Sequence, residues 1–375
     1  MKLAFYAPMK SPDHPVPSGD RRMGRLLWSA LELAGFEPVL ASEMRSFDSK
    51  GDADFQHAMK KQGSTEAEAL IAKWRARPED APKGWFTYHI YHKAPDWIGP
   101  KVCAALDIPY FVAEASHAPK RARGGWQMGY EAAASAIRSA RTVFHMTRLD
   151  GECLKPLIAA DNALVLLPPF VDIETFIENA AQIDIDAAVT NAGGRKDVNN
   201  LLAVAMMRGG DKLMSYQQLG AALVRLKSPD WQLLVIGDGE RRREVEEALA
   251  PIGDKAVYLG AMTPNALPAW YEYADIYVWP ACGEAYGMAF LEAEGCGLPV
   301  VAGNIRGVPD VVKDRETGLL TVPEDAAAFA VAVDQLLADA PLREKMGQAG
   351  RQFVWVERTL AKAAEILKSH IEGVL

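Results

Sequence analysis

The sequence predicts an α/β protein built from two doubly wound parallel sheets that face a central cleft. Three observations carry this. Short apolar runs of strand length alternate with amphipathic stretches, the pattern of parallel strands covered by helices on both faces. The alternation occurs twice, each time over roughly 170 residues, close to the usual domain size. Between the halves stands Leu167-Pro168-Pro169-Phe170-Val171-Asp172, where two prolines remove two donors and fix the chain, so neither strand nor helix runs through.

In the first half, strands are expected at Leu3–Tyr6, Glu37–Leu40, Trp85–His89, Pro109–Ala113, Thr142–His145 and Ala163–Leu167. Helices are expected from Arg21, Trp97, Gln127 and Thr147, with extra helix between Asp52 and Arg77. A polar connector, Glu174 to Asn200, follows the prolines. The second half then reads strand Leu201–Met206, helix Leu213–Leu226, strand Gln232–Ile236, helix Glu240–Leu249, strand Ala256–Leu259, helix Leu267–Tyr273 and strand Ile276–Trp279. It continues with a helix near Met288–Gly295, strand Pro299–Ala302 and helices from Asp325, Leu342 and Arg358. The last of these sets Leu360, Ala363, Ala364 and Leu367 on one stripe that needs a cover, so residues 356–375 are expected to return to the first domain. The domains are therefore 1–170 and 171–355.

Composition excludes several classes of function. The chain has 375 residues, 49% of them hydrophobic and 24% charged, which suits a folded core and not a disordered tract. A net charge of −8 argues against nucleic acid as the principal partner. Cys103, Cys153, Cys282 and Cys296 are scattered, with neither disulfide nor zinc-finger spacing. No apolar run reaches the ~18 residues of a membrane span, and Leu3-Ala4-Phe5-Tyr6-Ala7 stops short of a signal-peptide core. A cytoplasmic protein is expected, with at most peripheral contact at the inner membrane face.

The most informative stretch runs from Cys282 to Ala302. A strand ends at Trp279-Pro280, a glycine-containing loop follows, and a helix opens near Gly287 or Met288, so free backbone N–H groups at the positive helix end suit an anion such as a phosphate. Glu284 before that helix and Glu292 within it are acceptor-only carboxylates, suited to the hydroxyls of a sugar or a ribose.

Glu284 and Glu292 stand in the Glu-x7-Glu arrangement that resembles retaining GT-B glycosyltransferases, particularly glycosyltransferase family 4. Val235-Ile236-Gly237-Asp238-Gly239, Tyr258-Leu259-Gly260, Tyr273-Ala274-Asp275-Ile276, Gly297-Leu298-Pro299-Val300-Val301 and Thr317-Gly318-Leu319-Leu320 are similar to successive blocks of that family's donor domain. The resemblance implies a GT-B fold of two Rossmann-like domains, the first binding acceptor and the second donor. It implies a retaining, metal-independent transfer of a sugar from a nucleotide sugar, a UDP-sugar by preference, to a hydroxyl, with no further cofactor. The acceptor would be a saccharide, a lipid-linked group or a small molecule. A GT-B sugar-nucleotide epimerase and a non-catalytic nucleotide-sugar-binding protein are the alternatives.

By the same resemblance, Glu292 would bond the ribose and Glu284 the transferred sugar, with backbone groups of Gly287, Met288 and Ala289 on the diphosphate or sugar. Arg208 and Lys212 would stabilise the leaving diphosphate, although Met206-Met207-Arg208 replaces the family's Gly-Arg pair. Gly237 and Asp238 would line the donor site. They do not form a dinucleotide fingerprint, because Arg242 stands where GxGxxG needs its last glycine. In the first half, Gly19 would approach the donor, while Asp20, Arg21, Glu114 and His92 would approach the acceptor. His117 is the candidate for the family histidine beside the transferred sugar, with Glu114 as its rival. Tyr88 to Trp97 offers rings for sugar stacking. Lys120, Arg121 and Arg123 with Arg21, Arg22 and Arg25 make a basic edge that suits an acidic, phosphorylated or lipid-linked acceptor, or an anionic membrane surface. Asp52-Ala53-Asp54 and Asp184-Ile185-Asp186 spell the DxD of metal-dependent glycosyltransferases, but one falls in a predicted helix and the other in the connector, so no metal is expected at either.

Overall fold

The computed structural model describes residues 1–16, 18–159 and 162–375. Within them the chain separates into two units, Met1–Pro168 with Leu360–Leu375, and Pro169–Thr359.

Unit 1 holds β1 (Lys2–Tyr6), β2 (Glu37–Ser42), β3 (Gly84–Ile90), β4 (Tyr110–Ala115), β5 (Thr142–His145) and β6 (Ala163–Leu166) in one parallel sheet of order β2-β1-β3-β4-β5-β6. The central strands are buried throughout most of their length because helices cover both faces, and Phe5, Phe86 and Phe144 pack ring to ring at 5.7 and 6.2 Å across them. Pro38, which cannot donate to a ladder, sits in β2 at the sheet edge. Helix Leu360–Ile371 buries Ala363, Ala364, Leu367 and Ile371 and packs on helix Gly19–Leu33.

Unit 2 holds β7 (Asn199–Val204), β8 (Trp231–Ile236), β9 (Ala256–Gly260), β10 (Ile276–Trp279), β11 (Val300–Gly303) and β12 (Gly318–Thr321), also parallel, in the order β12-β11-β10-β7-β8-β9. The continuous apolar runs Trp231–Ile236 and Ile276–Trp279 are buried along their whole length. Each unit is thus a doubly wound sheet.

The departures from expectation have local causes. The connector is not unstructured: it forms two short helices, Ile173–Glu178 and Ile185–Asn191, each too short to show an apolar stripe and each started by an aspartate side chain, Asp172 or Asp184. The strand expected to reach Met206 ends at Val204, and the next helix begins at Asp211, so Ala205–Gly210 is loop. The helix expected from Trp97 begins at Gly99 because Asp96, buried on the preceding turn, accepts the N–H groups of Ile98 and Gly99 at 2.8 Å. Both DxD aspartates that lead their triplets are helix caps. Asp52 accepts from the N–H of Asp54 and Phe55, and Asp184 from that of Ala187.

Candidate active site

In unit 2, β7 and β10 are neighbours in the sheet but not in the chain. The connections from them run to opposite sides, which opens a crevice at their carboxyl ends. Two helices, Asp211–Leu223 after β7 and Met288–Gly295 after β10, begin there, and both have glycine caps, Gly210 and Gly287, which bring no side chain to the first-turn N–H groups. Two positive helix ends with glycine caps make an anion site at this crevice, with the Asp211 carboxylate in the first turn of one of them lying against Gly283. Gly287 has φ +82°, and a Cβ there would press on the Phe290 ring at 2.6 Å, so the turn that brings Glu284 and Met288 together needs glycine.

The neighbouring loops are tied down. A Cβ on Gly237 would overlap the carbonyl oxygen of Ala205, so only glycine lets the loop after β8 lie against the loop after β7. Met207 N–H donates to Asp238 O at 2.9 Å and Arg241 N–H to Met207 O at 3.0 Å. Tyr216 hydroxyl donates to Ala205 O at 2.9 Å. On the other side, Gly307 N–H donates to Ala285 O at 2.8 Å and Arg306 Nη1 to Gly283 O at 2.8 Å.

Charges converge on this frame. Lys212 Nζ lies 2.5 Å from Glu284 Oε2, with the two side chains 30% and 20% exposed, and 5.4 Å from the centre of the Trp279 ring. Glu292 is only 3% exposed and accepts from Tyr271 hydroxyl at 3.0 Å. Burial first, then the nearby Glu292 and Glu284 carboxylates, raises Tyr277 well above an ordinary phenol. Met288 and Ala289 form the half-buried first turn. Arg208 is exposed, and among the described residues its guanidinium has no partner. Asp238 is exposed and turns one oxygen to Gly239 N–H at 2.8 Å. Lys212, Glu284, Gly287, Met288 and Ala289 therefore lie on the two helix starts and the turn between β10 and its helix, with Glu292 one turn further into that helix. Arg306, on the loop after β11, adds a cation that no motif announced.

In unit 1 the corresponding crevice lies between β1 and β3. Ser18 caps helix Gly19–Leu33, placing Asp20 in its first turn beside exposed Gly19. Asp20 Oδ1 is 3.2 Å from His89 Nδ1, and Glu114 Oε1 is 3.8 Å from the same atom. His89 and Glu114 stand side by side near the ends of β3 and β4, and both hold positive φ, +60° and +54°, unusual for residues with side chains. Burial lowers the His89 pKa, but the Glu114 charge and the bond to Asp20 outweigh it and bring it up to about 9, so the imidazole is protonated at neutral pH. Burial raises Glu114, opposed by the His89 charge. For Asp20 burial is outweighed by His89, and its carboxyl falls below the usual range.

Other expected residues lie elsewhere. His117 Nε2 is 2.7 Å from Tyr130 hydroxyl and its ring stacks on Tyr130 at 5.1 Å, which ties it to helix Gln127–Ser139. His89 and not His117 meets Glu114. Arg21 Nη1 donates to the carbonyls of His14 and Pro15 at 2.8 and 3.1 Å, and Arg25 Nε to that of Pro12 at 2.8 Å, so these arginines hold the loop after β1. The His92 ring lies 5.3 Å from that of Tyr91, which is 5.2 Å from His89. Burial first, then Arg121, Lys93 and Lys120, depresses its pKa to about 4. In sequence His89 reads as the last residue of a strand; its sign is an ionisable residue at the carboxyl end of a strand beside the switch point.

The family described as glycosyl transferases group 1 matches residues 212–353. The GDP-mannose-dependent alpha-(1-6)-phosphatidylinositol monomannoside mannosyltransferase of Mycolicibacterium smegmatis is 30% identical over 269 residues, 66% of this chain and 68% of that protein. The D-inositol 3-phosphate glycosyltransferase of Corynebacterium diphtheriae is 37% identical over 118 residues, 32% of this chain, which spans only 27% of that relative's length. Among solved structures, Anabaena HepE in complex with UDP superposes with a TM-score of 0.74 over the whole of both chains at 13% identity. The fold is GT-B.

Proposed function

We propose that this chain, which belongs to the glycosyl transferases group 1 family and is a glycosyltransferase, moves a sugar from a nucleoside-diphosphate donor held by unit 2 to a hydroxyl of an acceptor held by unit 1, with retention of configuration. The observation that carries this is the Lys212–Glu284 pair beside two glycine-capped helix starts at the β7/β10 crevice. A diphosphate needs cations and N–H donors, and a sugar needs acceptors; this is where unit 2 offers both.

Lys212, Arg208 and the first-turn N–H groups of the two helices would take up the charge that develops on the leaving diphosphate. They supply the positive charge that a metal would otherwise bring, so the transfer needs neither metal nor cofactor. Glu292, buried against Tyr271, would accept from the ribose hydroxyls and Glu284 from the sugar, while Gly237 and Asp238 line the donor. In the step, the bond from the anomeric carbon to the phosphate oxygen breaks. The acceptor oxygen bonds to that carbon on the same face, and its proton passes to the departing phosphate oxygen. Gly19 would face the donor, and Asp20 and Glu114 the acceptor hydroxyls, with His89 fixing both carboxylates. Arg21 and His117 would act through the loop and helix they hold, and His92 through the ring surface it shares with Trp126.

The base is the open choice within this reading. A UDP-sugar is the expectation from the sequence, and the relative named for GDP-mannose supports a GDP-sugar beside it. No helix among the described residues is long and apolar enough to cross a membrane, and the proposed setting is the cytoplasm, with contact at the inner membrane face only as a peripheral protein. Thermal-shift screening with UDP-, GDP- and ADP-sugars, followed by transfer assays with the donor that stabilises, tests the whole. Donor binding with a new sugar product bears it out. Epimerised donor without acceptor, or binding without turnover against a broad acceptor panel, overturns it in favour of an epimerase or a binding protein.

A further inference from the structure

Unit 1 carries a second charged cluster that the reaction above does not use. Lys93 follows β3, and Lys120 and Arg121 lie in the 3-10 turn Pro119–Arg121 that follows β4, so all three stand beyond the carboxyl ends of central strands. Two of them converge on one ring, Lys93 Nζ 5.2 Å and Arg121 Cζ 4.8 Å from the Trp126 centroid, and Lys120 precedes Arg121 in the same turn. Among the described residues none of the three has a carboxylate within ion-pairing distance. The acidic side chain built into this frame, Asp48, is 5% exposed and directs both oxygens to other donors, the N–H groups of Lys50, Gly51 and Asp52 and the Gln56 amide, at 2.7 to 2.9 Å. The field of the three cations reaches His92, whose ring nitrogens are buried without partners.

The frame is fixed, which separates it from a solvated basic face. Gln56 donates to Gly125 O at 2.7 Å and accepts from Gly129 N–H at 3.0 Å, and Trp126 Nε1 donates to Asp48 O at 3.2 Å. From this cluster a row of ring contacts, Trp126 to His92 at 5.9 Å, His92 to Tyr91 at 5.3 Å and Tyr91 to His89 at 5.2 Å, leads to the carboxylates of Asp20 and Glu114. One end of the row is made for hydroxyls and the other for an anion.

We propose that Lys93 and Arg121, set over Trp126, form with the neighbouring Lys120 a phosphate subsite of the acceptor pocket, so that the acceptor is a polyol or sugar carrying a phosphate ester, either free or as a lipid headgroup. This rests on the assignment of unit 1 to the acceptor. Uncompensated cations on a rigid frame bind a phosphate without first breaking ion pairs, and they do so less well as salt rises.

The test uses the full chain with its donor site saturated by whichever of UDP or GDP binds. Wild type is titrated with D-inositol 3-phosphate, with unphosphorylated inositol, and with vesicles of phosphatidylinositol and phosphatidylcholine. Salt-sensitive binding of the soluble phosphate supports a free acceptor, and binding of the vesicles alone a lipid-linked one. In either case Lys93→Gln/Lys120→Gln/Arg121→Gln should weaken it at least tenfold, and Lys120→Glu, at an exposed position, should weaken it in a chain whose fold is undisturbed. Nucleoside-diphosphate affinity should stay at the wild-type value in both. Unchanged phosphate binding in the variants, equal binding of unphosphorylated inositol, or no phosphate binding by a wild type that still binds nucleoside diphosphate would overturn the subsite and leave the donor reading standing. A wild type that binds no nucleoside diphosphate would instead remove the premise.

Discussion

Replacing Glu284 by Gln separates its two proposed effects. Lys212 Nζ lies 2.5 Å from Glu284 Oε2, so a diphosphate that binds Lys212 has to share it with a carboxylate. With side chains 30% and 20% exposed, the pair contributes a net ~0–1 kcal/mol. Removing the carboxylate therefore frees Lys212 and also removes a charge repelling the phosphates, so UDP or GDP without a sugar should bind Glu284→Gln up to about fivefold tighter. Lys212→Met removes a donor to a charged group, a loss of about 1.5–3 kcal/mol, and should weaken the same nucleotide about 10- to 140-fold. Sugar transfer should fall in both variants, since Glu284 would hold the sugar and Lys212 the leaving group. Isothermal titration with the sugar-free nucleotide, set beside a transfer assay, reads the two effects apart. If Lys212→Met binds nucleotide like wild type, or Glu284→Gln binds it more weakly, the diphosphate does not lie on this pair.

Three further outcomes are expected. His89 has a folded pKa of about 9 against an ordinary 6.5, a raised value, so its contribution is fully present below pH 6.5 and lost as pH rises through 9. His89→Asn, which suits the positive φ, should therefore lose on the order of 3 kcal/mol against wild type at pH 6 and much less at pH 10, measured by unfolding at each pH; a gap that does not close with pH would refute the charged imidazole. Glu294 is fully buried, takes a hydrogen bond from Thr317 at 2.5 Å, and has its pKa pushed well up by burial. A raised carboxyl likewise loses stability as pH rises, so Glu294→Gln should gain on wild type from acid to alkaline pH in thermal unfolding, and parallel profiles would count against a buried neutral acid. Gly237→Ala forces the loops after β7 and β8 apart and should cost about 1–3 kcal/mol while weakening nucleotide binding, readable by thermal shift with and without nucleotide; unchanged values for both would show the contact to be dispensable.

The fold was legible because its strands are buried on both faces and so appear as apolar runs, Trp231–Ile236 and Ile276–Trp279 above all. Where burial is one-sided or the element is short, the signal fades. Helix Ile185–Asn191 buries only Val189 and is announced by Asp184 alone, which in sequence looks as much like part of a DxD as like a cap. In unit 2 the site residues are close in sequence, because a strand, its turn and the following helix start deliver Glu284, Gly287 and Met288 together. Lys212 was reachable by its place after β7. Arg306 was not, since its approach to the Gly283 carbonyl depends on a loop from a different strand.

In unit 1 the histidine that meets Glu114 is set by sheet order. His117 is a candidate through the family resemblance, but a position in sequence does not say which way a side chain turns, and the ring is held by Tyr130. His89 meets Asp20 and Glu114 only because β3 lies between β1 and β4, a pairing set by sheet order and not by any local pattern. Both residues hold positive φ at these adjacent strand ends, and Asp20, which meets His89, stands in the first turn of helix Gly19–Leu33. Such backbone persists when the surroundings over-determine it, here through a protonated imidazole held by two carboxylates. An acceptor hydroxyl arriving at these carboxylates would compete with the imidazolium for the same oxygens, so the charge on His89 should set how tightly unit 1 holds its ligand as well as how stable it is.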